Sequence, residues 1–290
     1  MTLTRTTLLF VALLAVLAAN APAAEPSRSA SVFAKDNLVA WCIVPFDAKN
    51  RGPAERAEML ARLGIKRVAY DWRANHVPTF EEEILAYRKH GLEYFAFWSW
   101  HPAMAPLIEK HGIRPQIWIS LGSPGGATQE ERVEAAAKGM LSRVELTRKL
   151  GCKLGLYNHG GWGGEPANMV AVCRRLRETA DADHVGIVYN LHHGHGHISD
   201  FAQVLALVKP YLLCLNLNGM NDNAQPKILS IGQGRHDVAL LKIIKESGYH
   251  GPIGILDHRG GVDAEQSLKE NLDGLKKVLE QLGEEEARTY

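Results

Sequence analysis

The sequence predicts a single-domain α/β fold, a (β/α)8 or TIM barrel in which eight parallel strands are closed by eight outer helices. Three observations carry this expectation. Eight apolar runs alternate with eight helical patterns, the element order of a parallel barrel. Six of the helical segments end on glycine, at Gly64, Gly91, Gly112, Gly151, Gly248 and Gly283, the residue that most easily closes a helix in the left-handed conformation. No GxGxxG or GKS/T turn follows an early strand, so an open doubly wound sheet lacks its signature and no nucleotide cofactor is expected.

The elements follow in order. Strand-like runs span Leu38–Val44, Lys66–Trp72, Glu93–Ser99, Gln116–Leu121, Lys153–Asn158, Val185–Asn190, Leu212–Leu217 and Pro252–Asp257. Their unbroken apolar character suits strands buried on both faces. Helical patterns follow at Pro53–Leu63, Thr79–Lys89, Ala103–Lys110, Gln129–Leu150, Ala167–Glu178, Ile198–Val208, His236–Ser247 and Ala264–Leu282. The first has proline in its opening turn, and Thr79 with Glu82 has the spacing of a capping box. In the last, Leu268, Leu272, Leu275, Leu279 and Leu282 form one stripe, as on a helix packed against a sheet.

The ends are read separately. Arg5, the apolar run Leu8–Ala19 and the small residues of Ala21-Pro22-Ala23 predict a cleavable signal peptide over residues 1–23. The run is too short for a membrane span of about 20 residues. Export follows, to the periplasm or the medium, with no membrane association after cleavage. A polar leader is expected over 24–36, the barrel over 37–283 and a solvated acidic tail over 284–290. Cys42, Cys152, Cys173 and Cys214 form no CxxC pair and no zinc-ligand spacing, so no zinc knuckle is expected; a Cys152–Cys173 bridge is conceivable in an oxidising compartment but is not the expectation.

Charge excludes further classes. The chain has 33 Lys+Arg against 32 Asp+Glu, and loss of residues 1–23 removes only Arg5, leaving 32 against 32. A near-neutral chain has no excess of cations for a nucleic-acid track.

In this fold the active site lies at the carboxyl ends of the strands. Eight of thirteen histidines (76, 101, 159, 192, 193, 195, 197 and 258) and four of six tryptophans (72, 98, 100 and 162) fall there. Trp41 and Trp118 lie inside strands and read as core, and His184 and His250 precede theirs. Indole faces with amide and imidazole hydrogen-bonders suit a polyhydroxylated ligand, whose C–H faces stack while its hydroxyls need partners. A small-molecule sugar is therefore the expected substrate. The candidate binding residues are Asp71, Trp72, Trp98, Trp100, Asn158, Trp162, Asn190, Asn216, Asn218, Gln233, Arg235, His258 and Arg259. The candidate proton carriers are Asp257, His193, His159 and Glu165.

The eightfold pattern, the Asn190-x-x-His193 step, the Gly232-Gln233-Gly234 loop and the acid Asp257 resemble the xylose isomerase-like barrel superfamily. That superfamily holds sugar phosphate isomerases and epimerases and the family 2 AP endonucleases. The stretches YNHGGWGGEP, YNLHHGHGH and LNLNGMN resemble an exported bacterial subgroup. In metal-binding members the ligands are Glu, Asp, His and Glu at strands 5 to 8, and the resemblance maps these onto Asn158, Asn190, Asn216 and Asp257. Only Asp257 keeps an acid. An asparagine carbonyl brings no charge to a metal and cannot act as a general base.

Two arrangements remain open: Asp257 with a histidine as an acid–base pair, or one divalent metal (Mn, Mg or Zn) on His159, His193 and Asp257, with or without Glu165. The expected function is that of a sugar isomerase, epimerase or lyase. The alternative is a non-catalytic sugar-binding barrel. The endonuclease branch fits neither the charge nor the amidated ligand positions.

Overall fold

A computed structural model describes residues 31–290; the expected signal peptide and residues 24–30 lie outside them. The strands are β1 (Leu38–Trp41), β2 (Arg67–Asp71), β3 (Glu93–Trp98), β4 (Gln116–Ile119), β5 (Leu154–Tyr157), β6 (Val185–Asn190), β7 (Leu212–Leu217) and β8 (Ile253–Leu256). All neighbours pair in parallel, and the β1–β8 pairing, Trp41 opposite Leu256, closes the ring. The helices are α1 (Pro53–Leu63), α2 (Phe80–Lys89), α3 (Met104–His111), α4 (Gln129–Leu150), α5 (Pro166–Ala180), α6 (Phe201–Val208), α7 (Asp237–Glu246) and α8 (Ala264–Gln281). The chain is thus the (β/α)8 barrel expected from its sequence.

Alternation along each strand divides the apolar residues between two cores. Leu38, Ala40, Val68, Tyr70, Ile187, Tyr189, Ile253 and Ile255 point outward and pack beneath the helices. Val39, Trp41, Ala69, Phe95, Trp118, Tyr157, Val188, Cys214 and Leu256 fill the interior. Two interior positions must be glycine. A Cβ on Gly155 would stand 2.8 Å from Trp118 and 2.7 Å from Val188, and one on Gly254 would stand 1.7 Å from Asn216 Oδ1.

The six glycines after helical segments all adopt positive φ, between 63° and 71°. The Thr79–Glu82 capping box does not form. A 3-10 turn over Ala74–Thr79 runs directly into α2, and the Thr79 hydroxyl turns back to donate to the His76 carbonyl at 3.0 Å. Thr128 caps α4 instead, accepting from Glu131 N–H at 3.2 Å.

Both ends are better packed than their polarity suggests. Phe33, in the leader, is fully buried, and Val32 is buried beside it. In the tail Ala287 is buried, and the Tyr290 hydroxyl donates to the Phe33 carbonyl. A few apolar side chains in a polar segment are enough to dock it. All four cysteines are free and buried. Among the described residues no helix is long and apolar enough to cross a membrane.

Helix α8 carries the loop after β7. Asn271 Oδ1 accepts from Ile231 N–H at 2.9 Å, and a Cβ on Gly274 would meet the Ile231 carbonyl oxygen at 1.7 Å. Gly274→Ala is therefore expected to destabilise the protein by about 2 kcal/mol through forced backbone movement. Gly139→Ala, exposed in mid-α4 with open space around it, is expected to stabilise it by about 0.5–1 kcal/mol. Denaturant unfolding of both variants checks the pair, and equal effects would refute the packing argument.

Candidate active site

A cavity of about 380 Å³, counted to its open mouth, lies at the carboxyl ends of the strands. β1 contributes Trp41, with Cys42 and Phe46 just beyond it; β2 contributes Asp71 and, beyond it, Arg73; β3 contributes Trp98. β5 supplies Tyr157, followed by His159; β6 supplies Asn190, followed by His192 and His193; β8 supplies Leu256, followed by His258. A wider groove of about 1320 Å³ between α4 and α5 is walled by charged chains such as Glu130, Glu134, Lys138 and Arg175. It holds none of the rim groups, so the chemistry belongs to the barrel mouth.

The floor is aromatic. Trp41 meets Trp118 edge-on with ring centroids 5.0 Å apart, Trp98 lies 4.4 Å from Tyr157, and Tyr157 stacks with Trp118 at 5.9 Å. The walls are imidazoles in a chain: His159 to His193 at 4.5 Å, His193 to His192 at 4.7 Å, and His192 to His258 at 4.9 Å. Phe46 closes on His258 at 4.1 Å, and the Arg73 guanidinium lies 5.6 Å from the Phe46 ring. Just past β1, Cys42 takes φ 59°, a strained conformation for a residue with a side chain.

Burial pushes several of the ionisable groups toward neutrality. Asp71 is 1% exposed, and its Oδ1 has no partner among the described residues. Burial raises its carboxyl to about 7 against the pull of Arg73 and of backbone N–H groups, including that of Val44. His192 and His193 are each lowered to about 3, first by burial and then by neighbouring imidazoles. Burial also lowers His258 and raises the Cys42 thiol well above its ordinary value. The cavity therefore combines a carboxyl that titrates near neutrality with the His192 and His193 imidazoles, which stay uncharged.

Asparagines organise the β5–β6 edge. Asn158 Oδ1 accepts from Asn190 N–H at 2.7 Å, and Asn158 Nδ2 donates to the Asn190 carbonyl at 3.1 Å. Asn190 Oδ1 accepts from His192 N–H at 3.0 Å, while its Nδ2 donates to the Tyr157 hydroxyl at 2.5 Å. The Trp41 indole N–H donates to the same hydroxyl at 3.2 Å.

The structure brings together Asp71, Trp98, Asn190, His159, His193 and His258 from the sequence-derived set. It places the others elsewhere. Asp257 turns its Oδ1 to the Ser267 hydroxyl on α8, 2.5 Å away, and Arg259 holds Ser267 and Glu270. Glu165 is exposed and pairs with His197 at 3.2 Å. Trp72 bonds the Ser99 carbonyl at 2.9 Å, Trp100 sits near Phe97, and Trp162 bonds Gln129 at 3.0 Å. Asn216 lies lower in the barrel against Gly254, and Asn218 bonds the Lys227 carbonyl at 3.0 Å. Gln233 is exposed, and Arg235 pairs with Asp222 at 3.0 Å. Trp41 and Cys42 escaped the sequence reading because they fall inside the Leu38–Val44 run, taken as a buried strand, and Phe46 lies just past that run. The inward position of residue 41, two after Val39, was the available signal.

The four positions equivalent to family metal ligands do not form a ligand set. Three are amides, Asn158 and Asn190 are engaged with backbone and with Tyr157, and Asp257 faces α8. Among the described residues no group of three or more His, Cys, Asp or Glu is placed to hold a metal. The trio His159, His193 and Asp257 is not brought together; Asp257 Oδ1 accepts from the Ser267 hydroxyl, and its Oδ2 has no partner among the described residues.

Fold and rim define a (β/α)8 barrel with its cavity at the strand ends. The chain belongs to the family described as xylose isomerase-like TIM barrel, whose model matches residues 55–278. A search of curated proteins finds none that matches. Among solved structures the chain is similar to an IOLI protein with a bound zinc atom (TM-score 0.64, 12% identity, 84% of this chain and 98% of that one). It is similar to a probable 3-DHS dehydratase from Bacillus anthracis (0.62, 13%, 82% and 98%). It is also similar to 3-keto-D-glucoside 4-epimerase from E. coli (0.59, 15%, 84% and 99%). At these identities the likeness is one of fold.

Burial of Asp71 has a measurable cost. Between its ordinary value of 3.8 and about 7, the folded protein keeps a proton that the unfolded chain has released, so stability falls as pH rises through that window. Asp71→Asn is expected to stabilise the protein more at pH 8 than at pH 5, by about 2 kcal/mol. Denaturant titrations at the two pH values check this, and an equal difference at both would mean the carboxyl is not held protonated.

Proposed function

We propose that the protein is a sugar-modifying enzyme of the isomerase or epimerase type, moving a proton at a carbon beside a carbonyl with Asp71 as the base. The observation that carries this reading is the buried Asp71 carboxyl, raised to about 7, with an unpartnered oxygen in a cavity of indoles and neutral imidazoles. A base poised near the working pH suits abstraction from a weak carbon acid. The Asp71 carboxylate takes the proton and the electron pair moves onto the carbonyl oxygen; the proton of the adjacent substrate hydroxyl passes to that oxygen, and the protonated carboxyl returns its proton to the former carbonyl carbon as the new carbonyl forms. The neutral His193 offers one donor and one acceptor to ligand hydroxyls, His159 stands beside it as a further polar contact, and Trp41 and Trp98 supply stacking faces.

Family membership supports the reading, as do fold neighbours named for a keto-glucoside epimerase and a dehydratase. The signal-like leader favours export and an unphosphorylated sugar. The donor set at the four ligand positions favours a step that needs no metal.

Native turnover of keto or oxidised sugars is expected to rise with pH and level off above about 7, since the base acts ionised. Asp71→Asn should lower kcat by about 10²–10⁴-fold with ligand binding retained. Chelators should leave turnover unchanged. A protein that binds these sugars yet turns none over would instead be the binding barrel, and loss of activity on chelation would overturn the metal-free step.

A further inference from the structure

We infer that the Tyr157 hydroxyl is a dedicated hydrogen-bond donor to the carbonyl oxygen of the substrate, making the site selective for keto sugars over polyols. The inference rests on the proton-transfer reading above and adds to it the group that meets the developing oxyanion.

The argument is an accounting of donors and acceptors. The Trp41 indole N–H can only donate, and it lies 3.2 Å from the Tyr157 oxygen. The Asn190 carboxamide has a fixed orientation, because the His192 backbone N–H must meet its oxygen at 3.0 Å. Its nitrogen therefore faces the phenol, at 2.5 Å. Two donors thus occupy the acceptor capacity of the phenol oxygen. The phenol's own hydrogen has no protein acceptor among the described residues, and Tyr157 lines the cavity. A buried hydroxyl in this state has a single role left, donation to whatever enters.

The remaining geometry holds the donor in place. Asn158 clamps the Asn190 backbone through both of its amide groups, at 2.7 and 3.1 Å. Trp118 stacks on the Tyr157 ring at 5.9 Å, and Gly155 leaves room for Trp118. Burial keeps the phenol protonated, so it serves as donor and not as base. As Asp71 removes the carbon-bound proton, the electron pair accumulates on the carbonyl oxygen, and the Tyr157 O–H bonds to that oxygen without transferring its proton. Fixed donors at such a position typically contribute 10²–10³-fold to kcat. The asparagines at the β5 and β6 ligand positions are thus converted into the mount for a neutral electrophile.

The test compares Tyr157→Phe with the native full-length protein. Calorimetric binding would use D-fructose and methyl 3-keto-D-glucoside as keto probes and D-glucitol as the carbonyl-free polyol, and kcat and KM would be measured on the keto sugars. The expected result is keto-probe affinity weakened about tenfold, D-glucitol affinity unchanged, and kcat reduced about 10²-fold with KM on the keto sugars raised in step with the weaker affinity. Equal weakening for both probe types would indicate lost packing and overturn the donor role, as would no change, or no binding of either keto probe by the native protein. Keto-selective loss without turnover in the native protein would uphold the donor and overturn the proton-transfer reading. Turnover that depends on Asp71 but not on Tyr157 would do the reverse.

Discussion

Closing eight strands into a ring leaves an interior of limited width, and the side chains that fill it decide what the mouth can present. Here three large rings, Trp41, Trp118 and Tyr157, meet inside the barrel at centroid distances of 5.0–6.0 Å. Trp118 fits because the inner position facing it on β5 is Gly155, where a Cβ would stand 2.8 Å from its ring. The plug sets the depth of the cavity and holds Trp41 and Tyr157 at its floor.

Above the plug, two hydrogen-bond networks stand beside polar atoms that have no partner among the described residues, Asp71 Oδ1, His192 Nδ1 and His258 Nδ1 among them. Asn158, Asn190, the His192 backbone and the Tyr157 hydroxyl form one connected network, each bond restricting the orientation of the next. A second network ties Asp257 and Arg259 to Ser267 and Glu270 on α8. It anchors the chain that carries His258 and supports the neighbouring loop. The strand-8 acid is therefore part of the wall, whereas Asp71 is the carboxyl that lines the cavity. Both are raised to about 7 by burial, so titration alone does not tell them apart. Exposure to the cavity does.

Barrel architecture was legible in the sequence because it depends on periodic quantities: apolar runs of strand length, amphipathic stripes and glycine stops. The unbroken Leu212–Leu217 run and the leucine stripe of α8 specify their elements almost to the residue. The site was legible only as a rim. Asp71, Trp98, His159 and His193 were recognisable from their places after strands, yet so were Trp72, Trp162 and Glu165, which face neighbouring loops or solvent. Position after a strand gives the end of the barrel. It does not say whether a side chain turns inward, and that depends on competing partners such as Ser267 for Asp257.

The sequence by itself therefore determined the fold, the barrel end at which histidines and tryptophans gather, and the presence of amides at Asn158, Asn190 and Asn216, since each is a matter of residue type and order along the chain. The tertiary structure alone decided which carboxyl enters the cavity, that its burial moves it to neutrality, and that Tyr157 keeps a spare proton. Those properties arise between strands that are distant in sequence, where Trp41 and Asn190 converge on one oxygen 116 and 33 residues from their own positions. Burial and hydrogen-bond geometry at such a convergence are set by the closed ring, and no local pattern encodes them.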